Sequence, residues 1–307
     1  MYAKLVTAHV PVGARVIAIS DIHGSCDLFR ALLEKIGYSE SDILVLVGDL
    51  CNKGNQNRET LEFVMTLALS ENCYVLRGNG DRLQDWMTPT QRAFLENLPH
   101  ILETEDYVFV HAALSDAPLD RQDAYTCVKL YNFIEKAGCF DKWIVTGHWP
   151  VVNYCHRIPS QNPFFDRRKK IVGIDGGCTV RWDGQLNALL MQDGQFGFAY
   201  VDDYARYTAP HAQAAAGGNV HVTFDDRFVE LLSSDGELRT IRHKKTGSIL
   251  TVPDWVLYRD EEGALCAGTG ATDYCLPVSE GEVLALIRRT GNRLFLKRDG
   301  VCGWYLE

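Results

Sequence analysis

The sequence predicts a layered α/β domain followed by a small all-β domain. Three observations carry that division. Short β-branched or aromatic runs alternate with helical periodicity over roughly the first two hundred residues; that alternation stops after Asp203; and short strands separated by Gly- and Asp-rich turns fill the remainder.

Taken in order, RVIAIS (15–20) reads as a buried strand. CDLFRALLEKIG (26–37) places Leu28, Leu32, Leu33 and Ile36 on one helical face and ends at Gly37, suited to a left-handed cap. DILVLVG (42–48) is the next strand, and a helical pattern follows through Thr60–Leu69. CYVLRGN (73–79), YVFVHAA (107–113), KWIVTGH (142–148) and KIVGIDGG (170–177) repeat one design, an apolar run ending in polar residues and glycine. Strand ends of this kind are where α/β folds gather their active sites. LNALLMQ and FGFAYVD complete the unit. The stretch APHAQAAAGGN (209–219) has no hydrophobic period and reads as part of a linker over 206–220. SSDGE, RDEEG, GTGATD, RRTGN and KRDG then punctuate an all-β module, so the expected domains are 1–205 and 221–307.

Composition narrows the functional classes. With 46% hydrophobic and 23% charged residues in 307, the chain can build a large core. Ten cysteines are scattered singly without a CxxC pair, which disfavours a zinc ribbon or a dithiol redox site and fits a reducing, cytoplasmic setting. No apolar run is long enough for a membrane span. A formal charge of −9 argues against nucleic-acid binding, and RRKK (167–170), the only dense basic run, reads as a solvated loop.

Five segments at strand ends carry candidate metal ligands: Asp21-Ile22-His23, Gly48-Asp49, Gly78-Asn79, His111 and Gly147-His148. Two residues apart on an extended segment, Asp21 and His23 project to the same side and can grip one ion. Carboxylates, an amide and imidazoles together suit Mn, Fe or Zn better than Mg or Ca. The motifs SDIHG, GDLCNKG, LRGNGD, VFVHAAL and TGHWP, continuing into IDGGC (174–178), resemble in order and spacing the calcineurin-like metallophosphoesterase superfamily. Within it they are similar to the serine/threonine phosphatase branch and its symmetrical dinucleoside tetraphosphatases. Pro150, where other branches carry a second histidine after the Gly-His pair, favours that branch.

The resemblance implies a four-layer α-β-β-α sandwich over about residues 15–200 and two divalent or trivalent ions. Asp21 and His23 would hold the first ion, Asp49 would bridge both, and Asn79, His111 and His148 would complete the second. A hydroxide shared by the two cations would attack phosphorus in line. Lys53 stands where the family has an arginine and Arg77 keeps a second cation, so both are candidate phosphate contacts. The family's leaving-group acid, a histidine oriented by an aspartate, is replaced by Gly80 and Asn52. Asp81, His100 and His156 are candidate substitutes, and Trp149 is placed either to stack on a base or to wall the cleft.

The main functional expectation is therefore phosphatase-like hydrolysis of phosphate esters or anhydrides, with phosphoproteins or nucleotides as substrates. One alternative is a dinucleoside polyphosphate hydrolase or phosphodiesterase favouring good leaving groups. A second is a metal-binding scaffold without turnover. The tail from about Pro253, with Gly-Trp-Tyr close to its end, resembles a bacterial SH3-like barrel, which implies either a peptide or protein partner or packing on its own chain.

Overall fold

A computed structural model describes residues 1–268 and 270–307. They divide into two units, Met1–Val151 with Asn162–Asp202, and Val152–Gln161 with Asp203–Glu307. In the first unit the chain runs through β1 (Leu5–Thr7), β2 (Val16–Ile19), α1 (Cys26–Lys35), β3 (Ile43–Leu46), α2 (Asn57–Leu67), β4 (Cys73–Val75), α3 (Pro89–Asn97), β5 (Ile101–Glu103) and β6 (Tyr107–Val110). It continues through α4 (Ala124–Lys129), α5 (Phe133–Lys136), β7 (Trp143–Thr146), β8 (Phe164–Asp166), β9 (Ile171–Gly173), β10 (Leu186–Gln192) and β11 (Gln195–Val201). One sheet has the order β1-β5-β6-β7-β9-β8 and the other β11-β10-β2-β3-β4. Within them β2, β3 and β4 are mutually parallel, as are β6, β7 and β9.

Alternation along the strands explains how the layers stack. Ile17 and Ile19 of β2, with Leu44 and Leu46 of β3, pack on Phe29, Leu32, Leu61 and Val64 of α1 and α2. Their neighbours Val16, Ala18 and Val45 point the opposite way and join Phe109, Val145 and Val172 of the other sheet. Two sheets thus face one another, with helices on the outer face of one and α5 beside β9 of the other. Both faces of these strands are buried, so their sequences read as unbroken apolar runs. In α1 the deepest residues are Cys26, Phe29, Leu32 and Leu33, while Leu28 and Ile36 lie at its margin, a rotation of part of a turn from the expected face.

The basic run at 167–170 is only half solvated: Arg167 and Arg168 are exposed in a turn, as expected, but the two lysines are tied to the protein. Lys169 is buried and its ammonium donates to the carbonyls of Ile134 (2.6 Å) and Glu135 (3.0 Å), tying down α5. Lys170 donates to the Asp141 carbonyl.

The second unit holds β12 (Arg206–Thr208), β13 (Val229–Asp235), β14 (Leu238–His243), β15 (Ile249–Pro253), β16 (Leu257–Arg259), β17 (Leu265–Ala267), β18 (Val283–Thr290), β19 (Arg293–Arg298) and β20 (Val301–Leu306). These form antiparallel sheets β13-β14-β15, β16-β17 and β12-β18-β19-β20. The stretch 206–220 is therefore not a free linker. It supplies an edge strand, buries Ala209, and pairs Gln213 with Val278 and Ala216 with Cys275. Because β12 belongs to the sheet of the last three strands, that sheet does not begin at residue 253. The segment 152–161 joins this unit too, through pairing of Ser160 with Val301 and a bond from the His221 amide to the His156 carbonyl. Among the described residues no helix is long and apolar enough to cross a membrane.

Candidate metal centre

Parallel pairing of β2 with β3 brings the residues beyond their carboxyl ends side by side. The amides of Asp21, His23 and Gly24 donate to the carbonyls of Gly48, Asp49 and Leu50 at 3.0, 2.9 and 2.8 Å, zipping the two loops together. His111 follows β6 and His148 follows β7, so the facing sheet delivers imidazoles to the same end. Asp21, His23, Asp49 and His148 all adopt left-handed backbone, with φ of 57°, 51°, 53° and 65°. Non-glycine residues pay for that conformation, and such strain gathers at functional sites.

Glycines permit the close approach. A Cβ on Gly78 would lie 2.1 Å from Asp49 Oδ1, and one on Gly147 would lie 1.9 Å from Ser20 Oγ. Neither has a positive φ, so at both positions the requirement is space rather than a tight turn.

Asp21, Asp49 and His111 are buried, and a ligand atom from each lies within 4.8 Å of the others, a grouping able to hold a metal ion. His23 Nε2 stands 3.7 Å from both Asp21 Oδ1 and Asp49 Oδ2, and His111 Nε2 stands 3.3 Å from Asp49 Oδ1. The tautomers follow from backbone carbonyls, which only accept. His111 Nδ1 donates to the Val47 carbonyl at 2.8 Å, so Nε2 carries the lone pair and faces a carboxylate oxygen with no hydrogen-bond partner. His148 Nε2 donates to the Lys129 carbonyl at 3.1 Å, leaving a lone pair on Nδ1 toward Asn79. With its nitrogen turned inward, the Asn79 amide donates to His148 Nδ1 at 2.7 Å and to the Val128 carbonyl at 3.0 Å. The opposite orientation sets amide oxygen and imidazole lone pair side by side, an arrangement a shared cation stabilises. Acceptors aimed at acceptors in a buried place are the signature of a metal site, and these residues fit one.

The electrostatics agree. Burial pushes the Asp21 carboxyl well up, with the Asp49 charge adding to it. Burial would raise Asp49 too, but His111, His23 and the Gly80 amide outweigh it and hold Asp49 below the usual carboxylate range. His148 is pushed down to about 4 by burial and by His111, and burial lowers His23, so both rings are neutral at neutral pH.

Of the other expected residues, Lys53 is exposed and close enough to His23 to depress its basicity, while Arg77 is half-buried beside His100. The candidate substitute acids have other roles. Asp81 accepts from the amides of Asp49 (3.0 Å), Leu50 (2.8 Å) and Gly78 (2.8 Å), making it the clamp of the Asp49 loop. His100 accepts the Lys4 amide on Nδ1. His156 lies in the second unit, facing Asp226. Asn52 donates through Nδ2 to the carbonyls of Gly80 and Arg82, bracing the loop that follows Asn79. Ser20, which donates to Asp21 and to the Val47 carbonyl, was not legible as a site residue; its position next to the Asp-x-His pair was the only signal.

A family model for calcineurin-like phosphoesterases matches residues 14–175, more than half of the chain. The chain belongs to that family. It is similar to a symmetrical bis(5'-nucleosyl)-tetraphosphatase of Buchnera aphidicola, 31% identical over 138 residues that make up 41% of this chain and 48% of that protein. It is also similar to one of Pseudomonas fluorescens, 34% identical over 175 residues, 56% of this chain and 58% of that protein. The chain spans about half the length of these curated relatives. A crystal structure described provisionally as a diadenosine tetraphosphatase shares the fold, with a TM-score of 0.53 at 22% identity over 66% of this chain and all of that one.

Proposed function

We propose that the chain hydrolyses phosphoanhydrides of the dinucleoside polyphosphate type at a centre of two metal ions. The observation that carries this reading is the commitment of Asn52. It occupies the position from which an aspartate would orient a leaving-group acid, yet its amide braces the Gly80 and Arg82 carbonyls, and Gly80 has no side chain to orient. Without a proton donor the departing group must be a weak base, as a nucleoside diphosphate is and a serine alkoxide is not. The similarity to symmetrical bis(5'-nucleosyl)-tetraphosphatases supports the same choice over a phosphoprotein phosphatase.

In this reading Asp21 and His23 would hold one ion, Asn79, His111 and His148 the other, and Asp49 would contribute to both. Manganese, iron or zinc at such a donor set supplies a water-derived nucleophile near neutral pH and neutralises phosphoryl oxygens. The protein's own work is orientation. Carbonyls of Val47 and Lys129 fix the ligand tautomers, Asp81 fixes the Asp49 loop, and Lys53 and Arg77 offer cations to the remaining phosphates. The test is turnover by manganese-loaded protein of a dinucleoside tetraphosphate, an aryl phosphate and a phosphoserine peptide. The expected order is tetraphosphate and aryl phosphate far ahead of the peptide, with nucleoside diphosphate as the product of the first. Absence of metal-stimulated turnover on all three would leave the centre as a scaffold and end this reading.

A further inference from the structure

The half of the centre formed by Asn79 and His148 is bordered by an aromatic pair whose two members are each tied to the metal ligands. Trp149 directly follows His148, and its amide donates to the Gly147 carbonyl at 2.7 Å. Tyr131 comes two residues after Lys129, whose carbonyl holds His148 Nε2, and three after Val128, whose carbonyl faces the Asn79 amide. The two rings lie with centroids 5.1 Å apart at 38°. Asn132, in left-handed backbone with φ 57°, turns the chain sharply into α5 and leaves Tyr131 43% exposed. The Lys136 ammonium lies 4.2 Å from the Tyr131 centroid.

A pure packing role accounts poorly for this arrangement. A ring kept only for the core is buried, whereas Tyr131 stands open to solvent within three residues of two backbone contacts to the centre. Trp149 tilts against the Tyr131 ring and the Lys136 ammonium sits over it, and this pairing of rings with a cation matches a nucleotide: rings take the flat base and an ammonium meets its phosphate. We infer that Trp149, Tyr131 and Lys136 form a subsite that stacks a nucleobase and orients its polyphosphate toward the metal centre. The inference rests on the phosphoanhydride reading for the reaction but not for the binding. Substrate selectivity then comes from the base rather than from the phosphates alone, and Trp149 and Tyr131 are the residues that set it.

The test compares two non-hydrolysable ligands with the same bisphosphonate head, α,β-methylene-ADP and methylenebisphosphonate, binding to the manganese-loaded full chain by calorimetry. Wild type should prefer the nucleotide. Trp149→Ala and Tyr131→Ala should each lower the ratio of the two affinities by about 5–150-fold, the range for losing one stacking partner, and Trp149→Phe should recover most of it. Tyr131, being exposed, is the variant that keeps the test valid should Trp149→Ala unfold. Unchanged ratios in folded Tyr131→Ala and Trp149→Ala would overturn the subsite. If wild type shows the preference and the variants lose it while a dinucleoside tetraphosphate is not hydrolysed, the subsite stands and the reaction assigned to the centre falls.

Discussion

Rebuilding the missing acid is the sharpest test of the leaving-group reasoning. Gly80→His with Asn52→Asp should raise kcat/KM for alkyl phosphomonoesters by about 10²-fold, the low end of what general acids contribute. Hydrolysis of a dinucleoside tetraphosphate should change only a few-fold. The structure sets the terms. Gly80 is outside the left-handed region, so a histidine is admitted there, but its Cβ would sit 3.0 Å from Cγ, Oδ1 and Oδ2 of Asp49 and must press on a ligand. Asn52 already has φ 79°, which aspartate tolerates, yet the exchange trades an amide donor for a carboxylate facing two carbonyls. Losing those bonds costs about 1–3 kcal/mol, or about 2–12 °C in Tm at roughly 2–4 °C per kcal/mol. Asn52→Asp alone should therefore be destabilised without gaining activity, and the pair should gain activity despite the cost. The assay is kcat/KM across phosphate esters of graded leaving-group pKa, steep in wild type and shallower in the double variant. A wild type that hydrolyses phosphoserine as fast as aryl phosphate would refute the argument, since another group must then supply the proton.

Asp49→Asn should stay folded, because the amide oxygen can still accept from Gly80, but should fall to one bound metal or none by elemental analysis and lose turnover. Lys53→Ala, at an exposed position, should leave Tm unchanged and raise KM for polyphosphates more than for a monophosphate. Asp42 forms a two-pronged bond with Arg15 at 2.9 and 2.6 Å and accepts the Ser39 amide at 2.8 Å. Burial would raise its pKa, but these donors hold it below the ordinary carboxylate value. Its contribution is therefore full above about pH 4 and is lost as pH falls through the lowered pKa. Asp42→Asn should cost about 1.5–3 kcal/mol in urea unfolding at pH 7, with the gap to wild type closing in strong acid. A fragment of residues 1–205 should be cut by protease within 152–161, because it lacks Val301, Gly300 and His221, to which that segment bonds.

The fold was legible where burial was complete. VIAI, ILVL, YVFV and WIVT are buried at nearly every position, and unbroken apolar runs of that length leave few choices but a covered strand. It was illegible where backbone and amide groups carry the structure. Residues 209–219 show no hydrophobic period because Gln213 binds through Nε2 to the Leu276 and Trp304 carbonyls, and Asp273 gathers the amides of Gly218, Asn219 and Val220. Lys169 misled for the same reason: a buried ammonium satisfied by two carbonyls is written with the same letter as a solvated one. In the centre, Asp21, Asp49 and His111 were legible through their spacing after strands, and the structure brings them together. Asp81 reads from sequence as a possible acid because sequence cannot reveal that three amides already claim its oxygens.

A protein of net charge −9 is an unpromising receptor for a polyphosphate, and the proposed reading needs a way round that difficulty, which the buried carboxylates offer. Asp21, Asp49, Asp81 and Asp175 are all buried near one another. Burial and, after it, the Asp21 charge push Asp175 well up, and burial with the Asp49 charge pushes Asp81 to about 6. Carboxylates crowded in a low dielectric stay ionised only beside cations. Held as neutral rings, the surrounding imidazoles turn lone pairs rather than protons inward, and the help that charged rings would give Asp49 is then lost. Multivalent ions held there would become the largest charges in the neighbourhood and reverse its sign. The same carboxylates that would repel a phosphate would thus become the means of concentrating positive charge at one point of a negatively charged protein. On the proposed reading, Lys53, whose charge reaches His23, would add to that attraction, so the net negative charge of the chain would favour selectivity for the centre.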